Sequence, residues 1–508
     1  KAEWPQADFI VGNPPFIGNK RMRNALGDGY VEALRSAWKD VPDTADFVMY
    51  WWDHAAELTH SNMLHAFGLI TTNSLRQTFN RQIIARHLSA KHPISLRFVV
   101  PDHPWIDSTE GAAVRIAMSV ADCSSQSGLL SEVTSETVNA NGEIDVALSS
   151  RRGTINADLT VGARVAAASK LVANAGVCFQ GMNLVGKGFR LEPEEVIQLG
   201  YDLAKLPDVI KPYCNGRDLM QAGAPTYIID FFGFQEDDAR TLHPALFQRL
   251  LDRVKPEREQ NNRLSYREKW WVFGEARGRL RLSWSALNRV VLTPETSKHR
   301  VFQFVNRPFC PDHKLYAICI EDAATLGVLS SSLHKVWALA AGGRLGVGND
   351  PTWTNTTCFA TFPFPVMAEE QREKIRGLGE LLDAHRKRQQ AAHPELTLTG
   401  MYNVLDKLRS GDTLSAKERV IHEQGLVSVL RQIHDDLDAA VLDAYGWTDL
   451  LPLLRIAHGN QRPPHPQPQS HEGSGEQAAA SANHSREEAR RAFDEAILER
   501  LVALNAER

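Results

Sequence analysis

Asp8-Phe9-Ile10-Val11-Gly12-Asn13-Pro14-Pro15-Phe16 is the stretch on which the reading of this chain turns. Phe9, Ile10 and Val11 are aromatic or β-branched, the residue types that suit a strand. Gly12 follows, and then two prolines that lock φ and carry no amide donor. A strand cannot continue through them, so Asn13 and Phe16 sit in a stiff turn just past its end. A proline-rich turn that only closes a strand would look the same, and the surrounding sequence has to decide.

Working outward, further short apolar runs stand at Phe67–Thr71, Leu96–Val100 and Ala113–Val120. Between Phe9–Val11 and Phe67–Thr71, the residues Phe47, Tyr50, Trp51, Ala55 and Leu58 recur at helical spacing. Strands alternating with helices predict an α/β sheet over residues 1–155. From 156 to 365 the texture changes to short β-rich pieces, many aromatics and turns such as Ala222-Gly223-Ala224-Pro225, which predicts a separate α+β domain. Residues 366–457 read as helical, with Leu426, Val429, Leu430, Ile433, Leu437 and Val441 on one face and Gly446 as a stop. Residues 458–484 are poor in apolar side chains and rich in Pro, Gln, Ser and Gly, and are expected to be a disordered linker. A last helix is expected over 485–508, opening at a capping box from Ser485 to Glu488. Its stripe of Phe493, Ile497, Leu501 and Leu504 should pack on a neighbouring or absent part.

With 508 residues there is room for two to four domains, and a formal net charge of −4 excludes a wholesale polycation. Any nucleic-acid contact must come from local basic clusters. The six cysteines never reach CxxC spacing and the histidines are scattered, so no metal site is expected, and free thiols suggest a reducing cytoplasm. No apolar run is long enough to span a membrane. The chain opens at Lys1 without Met, close to a strand, and stops inside a helical pattern, so it is expected to be a piece of something longer.

At Asn13-Pro14-Pro15-Phe16 the chain resembles the [DN]PP[YF] motif of class I amino-methyltransferases, which have an S-adenosylmethionine-dependent Rossmann-like fold. ADFVMYWWDHAAEL (45–58), AFGLITTNSL (66–75) and GAAVRIAMSVAD (111–122) look like later motifs of that catalytic domain, in the same order. The resemblance implies a catalytic set of Asn13, Pro14, Pro15 and Phe16. An adenine amine is a weak nucleophile because its lone pair is delocalised into the ring. The Asn13 oxygen and the Pro14 carbonyl could each accept one of its hydrogens and aim the lone pair at a methyl donor. Pro15 would stiffen the turn, and Phe16 would stack on a base flipped out of the duplex. Trp105 stands where a second base-stacking aromatic is often found, although an ordinary loop-edge hydrophobe reads the same. Lys20, Arg21 and Arg23 follow the motif and are candidates for phosphate contact, or simply a solvated basic loop.

One departure matters. The Gly-rich strand–turn motif of the cofactor pocket is missing, and Gly27-Asp28-Gly29, Gly186-Lys187-Gly188 and Gly346-Val347-Gly348 read as turns. The cofactor side is expected on a missing N-terminal portion or a companion subunit, and the chain alone should be inactive.

From Arg249 to Lys314 the chain holds 15 Lys/Arg against 7 Asp/Glu, with Trp270, Trp271, Phe273 and Trp284 interleaved among Arg277, Arg279, Arg281 and Arg289. These arginines are the candidates for contact with double-stranded DNA, although a solvated helix beside an aromatic core has the same composition. PYCNGRDL (212–219), VKPEREQNNR (254–263), REKWW (267–271), TFPFP (361–365) and the tail HDDLDAAVLDAYGW (434–447) resemble the MmeI-like, type IIL restriction–modification family. That resemblance implies half of a methyltransferase sheet followed by a target recognition domain and a helical region. It implies site-specific adenine-N6 methylation in restriction–modification or phage defence. A DNA-binding specificity module without catalysis is the alternative.

Overall fold

Strand β1 (Phe9–Gly12) ends where the prolines begin, as its sequence demands. The computed structural model describes residues 4–105, 114–124, 126–139, 144–221, 223, 225–345, 350–459 and 475–508. The chain divides into two compact units, Lys1–Ala168 with Gly343–Asn349, and Ser169–Gly342 with Asp350–Arg508.

In the first unit β1 is followed by helices α1 (Asn19–Leu26), α2 (Asp28–Ala37) and α3 (Val48–His60), then strand β2 (Ala66–Thr72), helix α4 (Thr78–Leu88) and strands β3 (Ser95–Trp105), β4 (Val114–Asp122), β5 (Gly128–Val138) and β6 (Ile144–Gly153). They form one six-stranded sheet in the order β1-β2-β4-β3-β5-β6. β1 pairs parallel to β2, and β4 lies antiparallel between β2 and β3. β1, β2 and β3 therefore all run the same way. The alternation in β2 buries Phe67, Leu69 and Thr71 on one face. Helix α3 lays Val48, Met49, Trp52, Ala55 and Ala56 into the same core. Trp52 is fully buried, edge-on to Phe67 at 5.2 Å, and its indole NH donates to Ser119 Oγ at 3.2 Å. Truncating an aromatic so placed costs roughly 3–5 kcal/mol. Gly128 starts β5 under the carbonyl of Leu96, where a Cβ would come within 2.1 Å of that oxygen, so only glycine passes.

The hairpin β5–β6 was not legible as strands in the sequence, since Ser131, Glu132, Thr134, Ser135 and Glu136 interrupt any apolar run. The first unit also runs further than residue 155: Ile155 and Leu159 are buried in its core.

The second unit holds two small sheets. Its strands are β7 (Cys178–Gln180), β8 (Arg190–Leu191), β9 (Ile210–Cys214), β10 (Thr226–Ile229), β11 (Arg289–Pro294), β12 (Gln303–Asn306), β13 (Cys310–Pro311) and β14 (Leu315–Ile318). One sheet has the order β13-β9-β10-β8, the other β12-β11-β14-β7. The expected step at residue 365 is not a border between compact units. Helix Glu369–Ala392 lies on the second sheet, where Asp383 Oδ1 accepts from Phe304 N at 3.0 Å and Arg386 donates to the Phe302 carbonyl at 2.9 Å. It also packs backbone to backbone on helix Ala323–Ser330, since a Cβ at Gly379 would meet the Ala323 carbonyl at 2.3 Å.

The last helix spans Gly475–Glu507 and so begins ten residues before the expected capping box. The run Glu476-Gln477-Ala478-Ala479-Ala480 has high helix propensity and carries the helix through Ser485. Of the expected linker 458–484, residues 460–474 lie outside the described residues and 475–484 are helical. The stripe packs within its own unit: Phe493, Ile497 and Leu501 are buried, and Asn505 bonds Ser169 and the Thr361 carbonyl. Among the described residues no helix is long and apolar enough to cross a membrane.

Candidate functional site

Because β1, β2 and β3 run in one direction, their carboxyl ends share one edge of the sheet, the edge where ligands bind in open α/β sheets. Three segments leave from it: Asn13-Pro14-Pro15-Phe16 after β1, Asn73-Ser74 after β2, and Asp102 to Trp105 at the end of β3. Pro14 is buried, Phe16 is half-buried, and Asn13 and Pro15 are exposed. Among the described residues neither the Asn13 side chain nor the Pro14 carbonyl has a hydrogen-bond partner, so two acceptors on one turn are open. Trp105 is 37% exposed and pairs with Val114 across the start of β4. The rest of its loop, 106–113, lies outside the described residues, as does the start of the GAAVRIAMSVAD run.

The turn is pinned from behind. Ile17 N bonds the Pro15 carbonyl at 3.2 Å, and the Ile17 carbonyl accepts from Phe47 N at 2.9 Å. Asn19 N donates to Asp46 Oδ1 at 2.9 Å. Asp46 Oδ2 accepts from Ser74 Oγ at 2.6 Å and from Asn80 Nδ2 at 2.8 Å, and Asn80 Oδ1 accepts from Asp46 N at 2.9 Å. Sequence reading missed this set, although Asp46 and Ser74 both stand in the quoted runs 45–58 and 66–75. Asn73 donates to Asp102 Oδ1 at 3.2 Å, and Arg115 bonds the same oxygen at 2.6 Å. Behind the sheet, buried Asp53 holds Arg86 and His87, and His87 Nδ1 meets His60 Nε2 at 2.9 Å. Burial, reinforced by the His87 imidazole, lowers the basicity of His60. Lys20 and Arg21 lie on α1 and are exposed, whereas Arg23 is spent on Asp28 at 2.8 Å and Glu32 at 2.5 Å.

The arginine-rich segment of the second unit is built differently. Trp270, Trp271, Phe273 and Trp284 are core residues, at most 9% exposed, and offer no aromatic surface to a nucleic acid. Arg281 is sunk against Asp230, with contacts of 2.7 and 3.0 Å, and Lys211 reaches the same carboxylate at 2.9 Å. Burial alone would raise the Asp230 pKa, but Arg281 and Lys211 outweigh it and hold the carboxyl below its ordinary range. Arg277 bonds the Gly181 carbonyl at 3.0 Å, Gln180 at 2.9 Å and Glu275 at 2.6 Å. Arg289 pairs with Glu380, bonds the Glu321 carbonyl at 2.9 Å and stacks over Phe304 at 3.7 Å. Of the four expected arginines, Arg279 is the exposed one. Composition could not separate these cases, because Asp230 lies 51 residues upstream of Arg281. No group of three or more His, Cys, Asp or Glu side chains among the described residues could hold a metal ion.

Comparison with known proteins places both units. Residues 2–130 match the model of the MmeI DNA-methyltransferase domain, and residues 163–366 match that of the MmeI target recognition domain. Among solved structures, the type IIL restriction–modification enzyme MmeI in complex with DNA superposes with a TM-score of 0.67 at 20% sequence identity. The match covers 95% of this chain and 57% of that one, so this chain spans little more than half the length of that enzyme. A second match, to the type IIG restriction endonuclease BpuSI, has a TM-score of 0.25 at 10% identity, over 86% of this chain and 54% of that one. No curated protein matches the chain. A methyltransferase sheet and a target recognition domain follow one another here in the order and fold of that enzyme, and the chain belongs to the MmeI-like family.

Proposed function

We propose that the chain is the base-side and recognition portion of a site-specific DNA adenine-N6 methyltransferase acting in restriction–modification or phage defence. The observation that carries this reading is the pair of open acceptors, Asn13 Oδ1 and the Pro14 carbonyl, on a proline-stiffened turn at the carboxyl edge of the sheet. A primary aromatic amine has two hydrogens to give, and two fixed acceptors would take both. Nitrogen held that way loses conjugation with the ring and regains a directed lone pair. Phe16, half-buried beside the acceptors, would stack on the extruded base, and Trp105 on the same edge is a candidate for its other face. Lys20 and Arg21 would meet phosphates at the mouth of the site, and Arg279, exposed where Arg277, Arg281 and Arg289 are not, would reach DNA from the recognition domain. Sequence choice belongs to the second unit, since a pocket for one flipped base cannot read its neighbours.

S-adenosylmethionine supplies an electrophilic methyl group when bound. The described residues fit the amine side of that reaction and offer no Gly-rich turn for the donor. β1 pairs with β2 on one side and with no strand among the described residues on the other, and it exposes Phe9 and Val11. A cofactor-binding segment would complete the sheet along that bare edge, whether it lies upstream in the same protein or on a companion subunit. The test is to incubate the full-length enzyme with duplex DNA and S-adenosylmethionine and to analyse the digested nucleosides. N6-methyladenine is expected. N4-methylcytosine would overturn the base assignment, and unmodified DNA bound with sequence preference would favour the non-catalytic specificity module.

A further inference from the structure

We propose that Asp46 is a positioning residue for methyl transfer, a clasp that fixes the turn bearing Asn13 and Phe16 relative to the segment leaving β2. The inference rests on the methyltransferase reading and adds to it a residue that touches neither base nor cofactor.

The Asp46 carboxylate joins three pieces of chain. Its Oδ1 takes the backbone NH of Asn19, three residues beyond Phe16. Its Oδ2 takes the hydroxyl of Ser74, two residues past the end of β2, and the amide of Asn80 on α4. Asn80 closes the ring, accepting from Asp46 N and donating a second bond to the Ser74 carbonyl at 2.9 Å. The next residue adds a backbone bond, Phe47 N to the Ile17 carbonyl. Asn80 is 2% exposed, so the ring is shielded from water on that side.

A carboxylate that gathers three neutral donors makes charge-assisted bonds, the stronger kind. No lysine or arginine among the described residues pairs with it, so every bond it makes serves the clasp. The geometry is also specific to a carboxylate. An amide in its place would present a donor to the Asn80 amide, which is itself a donor there, and one arm would be repelled. Both the Asn13–Phe16 turn and the Asn73-Ser74 segment stand at the carboxyl edge, and a shift between them of about 1 Å is enough to cost on the order of a hundredfold in rate.

The experiment compares the full-length enzyme with Asp46→Asn, Asp46→Glu and Asn13→Ala, measuring kcat and KM for duplex DNA with the active fraction titrated by single-turnover methylation. Asp46→Asn is expected to lower kcat per active site by tenfold or more, with KM for DNA within about threefold. Asp46→Glu, which keeps the carboxylate, should recover part of the loss. A kcat per active site within threefold of the parent, or a loss that follows the active fraction alone, overturns the clasp. If Asn13→Ala also retained the parental rate, the reading of the site itself would fall, and the two failures are told apart.

Discussion

The turn after β1 and the arginine-rich segment around residue 280 both stood out in the sequence, yet the fold treats them in opposite ways. At Asn13 and Pro14 it leaves good hydrogen-bonding groups without partners among the described residues, while spending Asp46, Ser74 and Asn80 to hold the turn from behind. At Arg277, Arg281 and Arg289 it gives nearly every charge an internal partner, and turns the neighbouring tryptophans inward. A polar group that folding leaves open is available to a substrate. One already paired with a buried carboxylate is holding the protein together.

The contrast can be broken most directly at Arg281. Arg281→Ala leaves Asp230 buried with Lys211 as its remaining cation, and should lower the stability of the second unit by about 3 kcal/mol. Urea unfolding measures this. A variant as stable as the parent but defective in DNA binding would mean that Arg281 faces the nucleic acid after all. Asn13→Ala should do the reverse. It should cost at least ~2.7 kcal/mol of transition-state stabilisation, roughly a hundredfold in kcat, with stability and DNA affinity little changed. Tritiated methyl transfer at a normal rate would remove Asn13 from the mechanism.

Acid sharpens the comparison through His334 in the second unit. Burial pushes its pKa down to about 3, with Arg300 adding to the effect, and Trp353 Nε1 donates to its Nε2 at 3.2 Å. An unfolded histidine titrates near 6.5, so below that pH the unfolded chain takes up a proton that the folded one refuses. The stabilising difference is present in full above pH 6.5 and declines as pH falls towards 3. Between pH 7.5 and 5 the loss should be about 2 kcal/mol for this residue. His334→Gln, which keeps an acceptor for Trp353, should flatten that slope in urea titrations, and an unchanged slope would show that His334 is protonated in the fold. The smallest effect is expected at Arg279. Arg279→Ala should change stability by no more than about 0.5 kcal/mol. If the residue contacts a phosphate, it should reduce the salt dependence of DNA binding by about one unit of slope. Unaltered binding at every salt concentration would leave Arg279 merely solvated.

What the sequence made legible follows from the range of the forces involved. β2 was readable because Phe67, Leu69 and Thr71 alternate with half-exposed neighbours, a pattern local to seven residues. The strand–Asn-Pro-Pro-Phe turn was readable because the prolines forbid its continuation. The partners of Arg281 and Arg289 were not, since Asp230 and Glu380 lie 51 and 91 residues away and only the folded chain brings them together. The early start of the last helix was missed for a different reason. A capping box marks where a helix can begin, but an alanine-rich run upstream can extend it past that point.

The side of β1 that pairs with no strand among the described residues carries a hazard as well as the docking role proposed for it. A strand edge with bare amides and carbonyls will accept any other strand, and Phe9 at 65% and Val11 at 88% exposure make that encounter adhesive. Neither lysine nor proline interrupts Phe9–Gly12 to discourage it. With that edge uncovered, the chain should self-associate increasingly as its concentration rises, and Val11→Lys should suppress that. The behaviour of the chain in solution thus turns on whether its first strand is covered, and crystallisation or binding work would begin by testing that.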